Sequence, residues 1–96
     1  MTWRTTRRAD LDIASIYVHG ERTFGIRQAE RYQAGLFQTF DMLAENPRLA
    51  RERPEIMPPV RLHPYGAHMI VYTRTDEAIL IVRVLHGLQD WERWLS

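Results

Sequence analysis

A proline-rich segment divides this chain into two parts of different character. Residues 47–59 (PRLARERPEIMPP) contain four of the five prolines, so no regular helix or strand is expected to pass through them. Before this segment the apolar residues recur at helical spacing, and after it they form nearly continuous runs. The segment therefore predicts a surface loop that joins a helical part to a sheet part.

Two adjacent amphipathic helices are predicted before the loop. Thr6 is suited to cap the first helix, Gly25 to end it, and Asn46 with Pro47 to end the second. Because only a glycine separates the two helices, they should form an antiparallel hairpin. The apolar positions that define the two stripes are Ala9, Ile13, Ile16 and Tyr17 in the first helix, and Ala29, Tyr32, Leu36, Phe37, Phe40, Leu43 and Ala44 in the second.

Four strands and a terminal helix complete the prediction. Residues 2–6 favour a short edge strand, and residues 60–63, 67–73 and 78–85 favour three further strands joined by tight turns. Residues 90–95 favour a short helix capped by Asp90. We therefore expect one α+β domain over residues 1–96, ordered β-α-α-β-β-β, with an antiparallel sheet, a helix hairpin on one face and a short C-terminal helix.

Composition restricts the function. A net charge of +1 argues against a strong, sequence-specific binder of nucleic acid, although all thirteen cations are arginine. That choice reflects either codon usage or the suitability of arginine for carboxylate and phosphate partners. Without cysteine or a long apolar run, the chain is expected to be cytoplasmic and to make no contact with a membrane.

The histidines are the first candidates for chemistry. His63 and His68 flank a Pro-Tyr-Gly turn, and His86 ends the last strand, where acid–base groups could converge. Histidines at strand ends are also ordinary polar caps, so no residue is assigned as catalytic on this basis. No metal site and no cofactor are expected, because the spacing of His63 and His68 spans a turn and has no third ligand nearby.

Two further features have both a structural and a functional interpretation. Alternation along 78–85 places Arg83 on the face away from the helices, either lying over a half-exposed sheet or lining a groove. Trp91 and Trp94 are three residues apart, so they share one side of the expected terminal helix. They serve either to hold that helix on the sheet or to contact another chain.

The element order and three stretches of sequence resemble the ParE branch of the RelE/ParE toxin superfamily. The stretches are LAENPRLARERPEI, RLHPYGAHMIVY and ILIVRVLHGLQDWERWL. The resemblance covers nearly the whole chain and implies the toxin half of a type II toxin–antitoxin module. It implies a ParD-like antitoxin as partner, and for ParE-like members DNA gyrase as target.

The superfamily also contains ribosome-dependent mRNA nucleases, and departures from their pattern separate the two functions. An arginine of YoeB-like members is replaced here by Met69, and a Lys-Arg pair of RelE-like members by His86 and Gly87. These changes remove charge that would stabilise a phosphorane-like transition state. The chain is therefore expected to poison its target by binding, and the alternative is a nuclease that uses Arg61, Arg83 and His86.

The remaining assignments follow from the binding hypothesis. Asp90, Trp91 and Trp94 are expected to contact the target. An acidic antitoxin tail that folds on binding is expected to meet Arg22, Arg27 and Arg31 on the helix hairpin.

Overall fold

The computed structural model describes residues 2–87. Two helices pack on one face of a five-stranded mixed sheet, so the expected α+β class and the helix hairpin are confirmed. The expected helix at 90–95 lies outside the described residues. Along the chain the elements are β1 (Thr2–Thr5), α1 (Arg7–Phe24), α2 (Ile26–Glu45), β2 (Glu52–Arg53), β3 (Val60–Tyr65), β4 (His68–Arg74) and β5 (Ala78–His86).

The helix boundaries follow the predicted signals. The Thr6 side chain accepts a hydrogen bond from the Ala9 amide at 3.0 Å, which satisfies one free donor at the start of α1. Gly25, at φ 92°, ends α1 and starts α2, in a conformation that other residues rarely adopt. Asn46 caps the end of α2. No helix within residues 2–87 is long and apolar enough to cross a membrane.

The sheet has the strand order β1-β5-β4-β3-β2, and two of its strands differ from the prediction. β1 is an edge strand as expected, but it runs parallel to β5, whereas the other pairs are antiparallel. Within the predicted loop, Glu52 and Arg53 form the short strand β2, which pairs with Arg61 and Val60. These two residues lie between Pro47 and Pro54, so their backbone amides remain able to pair.

The main core lies between the helices and the sheet. Trp3 of β1 stacks on Phe37 and meets the edge of Phe40, with ring centres 5.7 and 5.0 Å apart, and these contacts fix α2 against the sheet edge. A second cluster includes Val71, whose neighbours Ile70 and Tyr72 belong to the main core, so it lies on the opposite face. Its buried members are Ile56, Val60, Leu62, Val71 and Leu85.

A β-bulge in β5 overturns the expected face assignment of that strand. Val71 pairs with Arg83 but Tyr72 pairs with Ile81, so Val82 is an extra residue and the alternation changes phase there. Ile79, Ile81 and Val84 consequently all join the core under the helices. The prediction that counted an unbroken alternation from residue 78 was therefore wrong.

Candidate functional site

Arg83 is paired with Val71 on the face away from the helices, where it was expected, and its guanidinium reaches Asp12 of α1. Its Nε and Nη2 donate to the two carboxylate oxygens of Asp12 at 2.8 and 3.1 Å, and the Val84 amide donates to the same carboxylate at 3.0 Å. This pair raises the pKa of the Arg83 guanidinium. β1 ends opposite Ile81 and does not extend alongside Val84. The Asp12 carboxylate therefore accepts from the Val84 amide in place of a neighbouring strand.

The structure brings two of the candidate histidines together and separates the third from them. His68 and His86 lie directly opposite each other in the β4–β5 ladder, and their ring centres are 5.2 Å apart in an edge-to-face arrangement. His63 is paired with Ile70 in the β3–β4 ladder instead. The sequence placed all three histidines near strand ends, and the ladder brings together His68 and His86 without His63.

A reciprocal pair of tyrosines joins α2 to the β3–β4 turn beside these histidines. The Tyr32 hydroxyl donates to the Tyr65 carbonyl at 3.0 Å, and the Tyr65 hydroxyl donates to the Tyr32 carbonyl at 2.9 Å. The Tyr32 oxygen also accepts from the Ala67 amide at 3.1 Å and lies 2.6 Å from Nδ1 of His68. These bonds fix the His68 ring. Tyr32 was predicted only as a core residue, because its helical spacing gives no sign of this role.

Burial is the main cause of the protonation behaviour around this network. Burial lowers the pKa of His68, the neighbouring His86 and His19 lower it further, and only the Asp12 carboxylate opposes them. Burial also raises the pKa of the Tyr32 and Tyr65 hydroxyls. At neutral pH the network therefore consists of a neutral imidazole and two protonated phenols, which suits hydrogen bonding more than charge stabilisation.

An apolar cleft of ≈ 320 Å³ opens between the two helices and the ends of β4 and β5. Apolar side chains of the two helices line much of this cleft, and His19, His68 and His86 also line it. A smaller cavity of ≈ 220 Å³ contains Asp12 and Arg83, and it also touches His68 and His86. The histidine pair thus lies between two cavities. The apolar residues that line the larger cleft include Ile13, Ile16, Phe24, Ala29 and Leu36.

The three residues of the nuclease alternative do not form one site. The Arg61 Nη1 donates to the Ala50 carbonyl at 2.6 Å, and Arg61 is paired with Tyr72, two strands away from β5. Tyr72 donates to the Pro47 carbonyl at 3.1 Å, so both side chains hold the proline-rich segment against the sheet. Arg83 is bound to Asp12, and His86 is exposed. Arg83 and His86 border the same smaller cavity, but the Arg83 guanidinium is directed at Asp12, and Arg61 lies apart from both.

The three arginines expected to meet an antitoxin lie near the joint of the helix hairpin. Arg22 is in the last turn of α1, Arg27 is in the first turn of α2, and Arg31 is one turn further along. All three are exposed, and the apolar side chains beside the joint are also exposed, Phe24 by 61% and Ile26 by 55%. Asp90, Trp91 and Trp94, the expected target contacts, lie outside the described residues.

Comparison with known proteins gives concordant results. Residues 4–91 match the family described as ParE toxin of type II toxin-antitoxin system, parDE. Toxin ParE1 of Caulobacter vibrioides is 32% identical over 84 residues, which cover 88% of this chain and 86% of that protein. Toxin ParE1 of Mycobacterium tuberculosis H37Rv is 39% identical over 71 residues, which cover 73% and 72%.

A solved structure has the same fold. It is described as the chromosomal ParDE TA system from P. aeruginosa, and it matches with a TM-score of 0.74 at 22% identity. The match covers 91% of this chain and 96% of that one. At this level of identity the likeness is evidence for the fold.

Proposed function

The chain belongs to the ParE toxin family of type II toxin–antitoxin systems, and from that premise we propose that it poisons DNA gyrase by binding, without catalysing a reaction itself. A ParD-like antitoxin would neutralise it. The resemblance supplies the target and the partner. Support from this chain's own residues comes from Arg61 and Arg83, the two arginines that a nuclease would need. Both are engaged in hydrogen bonds within the protein.

The observation that carries the proposal is the engagement of Arg83 with Asp12. A nuclease needs cationic groups that stabilise the charge developing on phosphate, and such groups must be aimed at the substrate. Arg83 instead forms a two-bond pair with a carboxylate, and both side chains are largely buried, with 13% and 17% exposure. Redirecting Arg83 towards a phosphate would leave Asp12 without its cation, which is costly in a buried position.

One observation favours the alternative, a ribosome-dependent endoribonuclease. His86 is exposed and adjacent to His68, so two imidazoles are available for proton transfer at one place. Positioned general acids and bases typically contribute about 10²–10⁴-fold to a rate, so the two mechanisms differ sharply in their dependence on His86.

The contacts with gyrase are proposed to come from residues 90–96, with Asp90, Trp91 and Trp94 as the principal side chains. Tryptophans are prominent among interface residues because each offers a large, rigid apolar surface together with one donor. The antitoxin is proposed to bind elsewhere, on the hairpin joint, where Arg22, Arg27 and Arg31 surround exposed apolar side chains. Acidic residues would pair with the arginines, and apolar residues would cover Phe24 and Ile26.

Induction of the chain alone in a bacterium tests the proposal. We expect growth to stop and DNA-damage signalling to rise before any cleavage of mRNA within codons is detected by mapping transcript ends. Purified chain added to gyrase and plasmid DNA should increase the fraction of DNA held in cleavage complexes. Co-expression of the antitoxin should restore growth.

The variant His86→Ala separates the two mechanisms in the same assays. A toxin that acts by binding should keep most of its toxicity, because His86 is exposed and holds no core contact. Loss of toxicity in a variant with an unchanged circular dichroism spectrum, together with codon-specific mRNA cleavage by the parent chain, would establish the nuclease instead.

A further inference from the structure

We propose that His68 and His86 form a two-histidine site for a divalent transition metal of the zinc, nickel or copper class, at the end of the β4–β5 ladder. The first support is the backbone register. The two residues are direct partners, and the Gly87 amide donates to the Ala67 carbonyl at 2.6 Å. That bond flanks the pair and identifies it as a non-hydrogen-bonded pair, in which Cα atoms are only about 4.5 Å apart and side chains are closest.

The spacing of the rings matches shared coordination. Histidine nitrogens bind zinc at about 2.0–2.1 Å, so two rings on one tetrahedral ion have centres about 5 Å apart. The rings of His68 and His86 are separated by 5.2 Å between centres, and their planes are nearly perpendicular at 85°. In this edge-to-face arrangement one ring turns its face, not a nitrogen, towards the other, so a ring must rotate before both can bind one ion. The exposed side chain of His86 can rotate in this way while the strands stay in place.

Tyr32 prepares His68 as a ligand. A tyrosine hydroxyl has one proton and two lone pairs. With its proton on the Tyr65 carbonyl and one lone pair accepting from the Ala67 amide, the Tyr32 oxygen can accept from Nδ1 of His68 with its other lone pair. In that tautomer His68 carries its hydrogen on Nδ1, and Nε2 has a free lone pair for a metal. A fixed partner on the second ring nitrogen is the usual support of a metal-binding histidine.

The surrounding space also fits a metal ion. The pair borders cavities of ≈ 320 and ≈ 220 Å³, which leave room for an ion with bound water. Asp12 borders the smaller cavity, but its carboxylate already accepts from Arg83 and Val84.

The class of metal follows from the ligands. Within residues 2–87 no group of three or more His, Cys, Asp and Glu side chains is arranged to hold a metal, so His68 and His86 are the ligands that these residues supply, and water can occupy the other positions. Imidazole ligands suit zinc, copper and nickel, whereas magnesium and calcium prefer oxygen. No sequence pattern indicates this site, because its two ligands come from different strands and only the pairing of β4 with β5 brings them together.

Titration of the purified full chain with copper(II), nickel(II) or zinc(II) chloride, followed by calorimetry, tests the site. We expect one equivalent to bind, and copper(II) to show an electron paramagnetic resonance spectrum with coupling to two imidazole nitrogens. His68→Gln and His86→Gln should each weaken binding strongly and leave the signal of at most one imidazole. His63→Gln is the matched control, because it removes a histidine of the neighbouring strand, and it should bind as the parent does.

The variant His86→Gln is the most informative, since the exposed side chain can be replaced without disturbing the core. Tyr32→Phe should reduce the affinity by about 10–100-fold while both nitrogens remain coupled, because it removes the partner of Nδ1, together with the bonds to Tyr65 and Ala67, but leaves both imidazoles in place. Absence of binding by the parent chain would overturn the proposal. So would equal weakening by His63→Gln, or unchanged binding by His86→Gln, with the fold checked by circular dichroism.

Discussion

Gly35 of α2 leaves the space in which the Tyr65 hydroxyl reaches the Tyr32 carbonyl. A methyl group at position 35 would overlap that hydroxyl, which the hydrogen bond to Tyr32 holds in place. We expect Gly35→Ala to lower the free energy of unfolding by about 1–3 kcal/mol through overpacking, less the roughly 0.5–1 kcal/mol that alanine returns as a better helix former. Urea unfolding measures the difference.

Gly20→Ala is the matched control for this prediction. Position 20 is also helical, but a methyl group there would lie 3.5 Å from the Ala29 methyl, which is an ordinary contact. It should raise stability by up to about 1 kcal/mol. In a Tyr65→Phe background, which lacks the hydroxyl, Gly35→Ala should cost less. An equal cost in both backgrounds would mean that the hydroxyl is not the obstacle.

His63 should make the fold sensitive to acid. Burial lowers its pKa in the folded chain below the ordinary value of 6.5. The unfolded chain therefore takes up a proton more readily, and stability should fall as the pH drops below 6.5 towards the folded pKa. His63→Gln should lessen this loss, measured as the difference in unfolding free energy between pH 7.5 and 5. An identical pH dependence in the variant would exclude His63 as a contributor.

At the scale of elements, Asp12 of α1 joins that helix to β5 through its hydrogen bonds with Arg83 and the Val84 amide. Asp12→Asn would leave the Arg83 charge in a largely buried place without its anion, so we expect a loss of about 3 kcal/mol of stability. The pair between Arg53 and Glu55 provides a comparison, since it is 3.6 Å long and half exposed. Glu55→Gln should therefore change stability by less than about 1 kcal/mol, again in urea.

The terminal segment 90–96 is the element on which the proposed contact with gyrase depends. Its removal deletes two tryptophans, each able to bury about 150–250 Å². If the segment contacts the target, the shortened chain should still fold and bind antitoxin but lose its toxicity. Circular dichroism, co-purification with antitoxin and growth after induction distinguish the cases. An unfolded or aggregated product would assign the segment to the fold and exclude a pure contact role.

At the scale of the whole molecule, the antitoxin is expected to wrap the toxin. The hairpin joint offers arginines and exposed apolar side chains, and the edge strand β1 offers unpaired backbone groups for strand addition. Hydrogen exchange with and without antitoxin should therefore show protection of both the helix hairpin and the β1 edge. Protection of a single small patch, with the hairpin unchanged, would contradict this arrangement.

The features that the sequence could predict are those that depend on neighbouring residues. The cap at Thr6, the joint at Gly25 and the helix end at Asn46 each result from local backbone chemistry. The bulge at Val82, the contact of Asp12 with Arg83 and the pairing of His68 with His86 depend on how distant segments meet. Composition and periodicity do not report such long-range contacts, so the core was predicted better than the candidate site.

The parallel pairing of β1 with β5 has a consequence for the timing of synthesis. Thr2–Thr5 leave the ribosome before the other strands of the sheet, yet their partners Ala78–Ile81 belong to the last of those strands to be translated. The nascent chain can form its helix hairpin early, because those contacts are local, but it must wait for β5 to close the sheet. A toxin built in this order closes its sheet only after β5 has been translated. An antitoxin already present in the cell would therefore meet a toxin whose sheet has just closed.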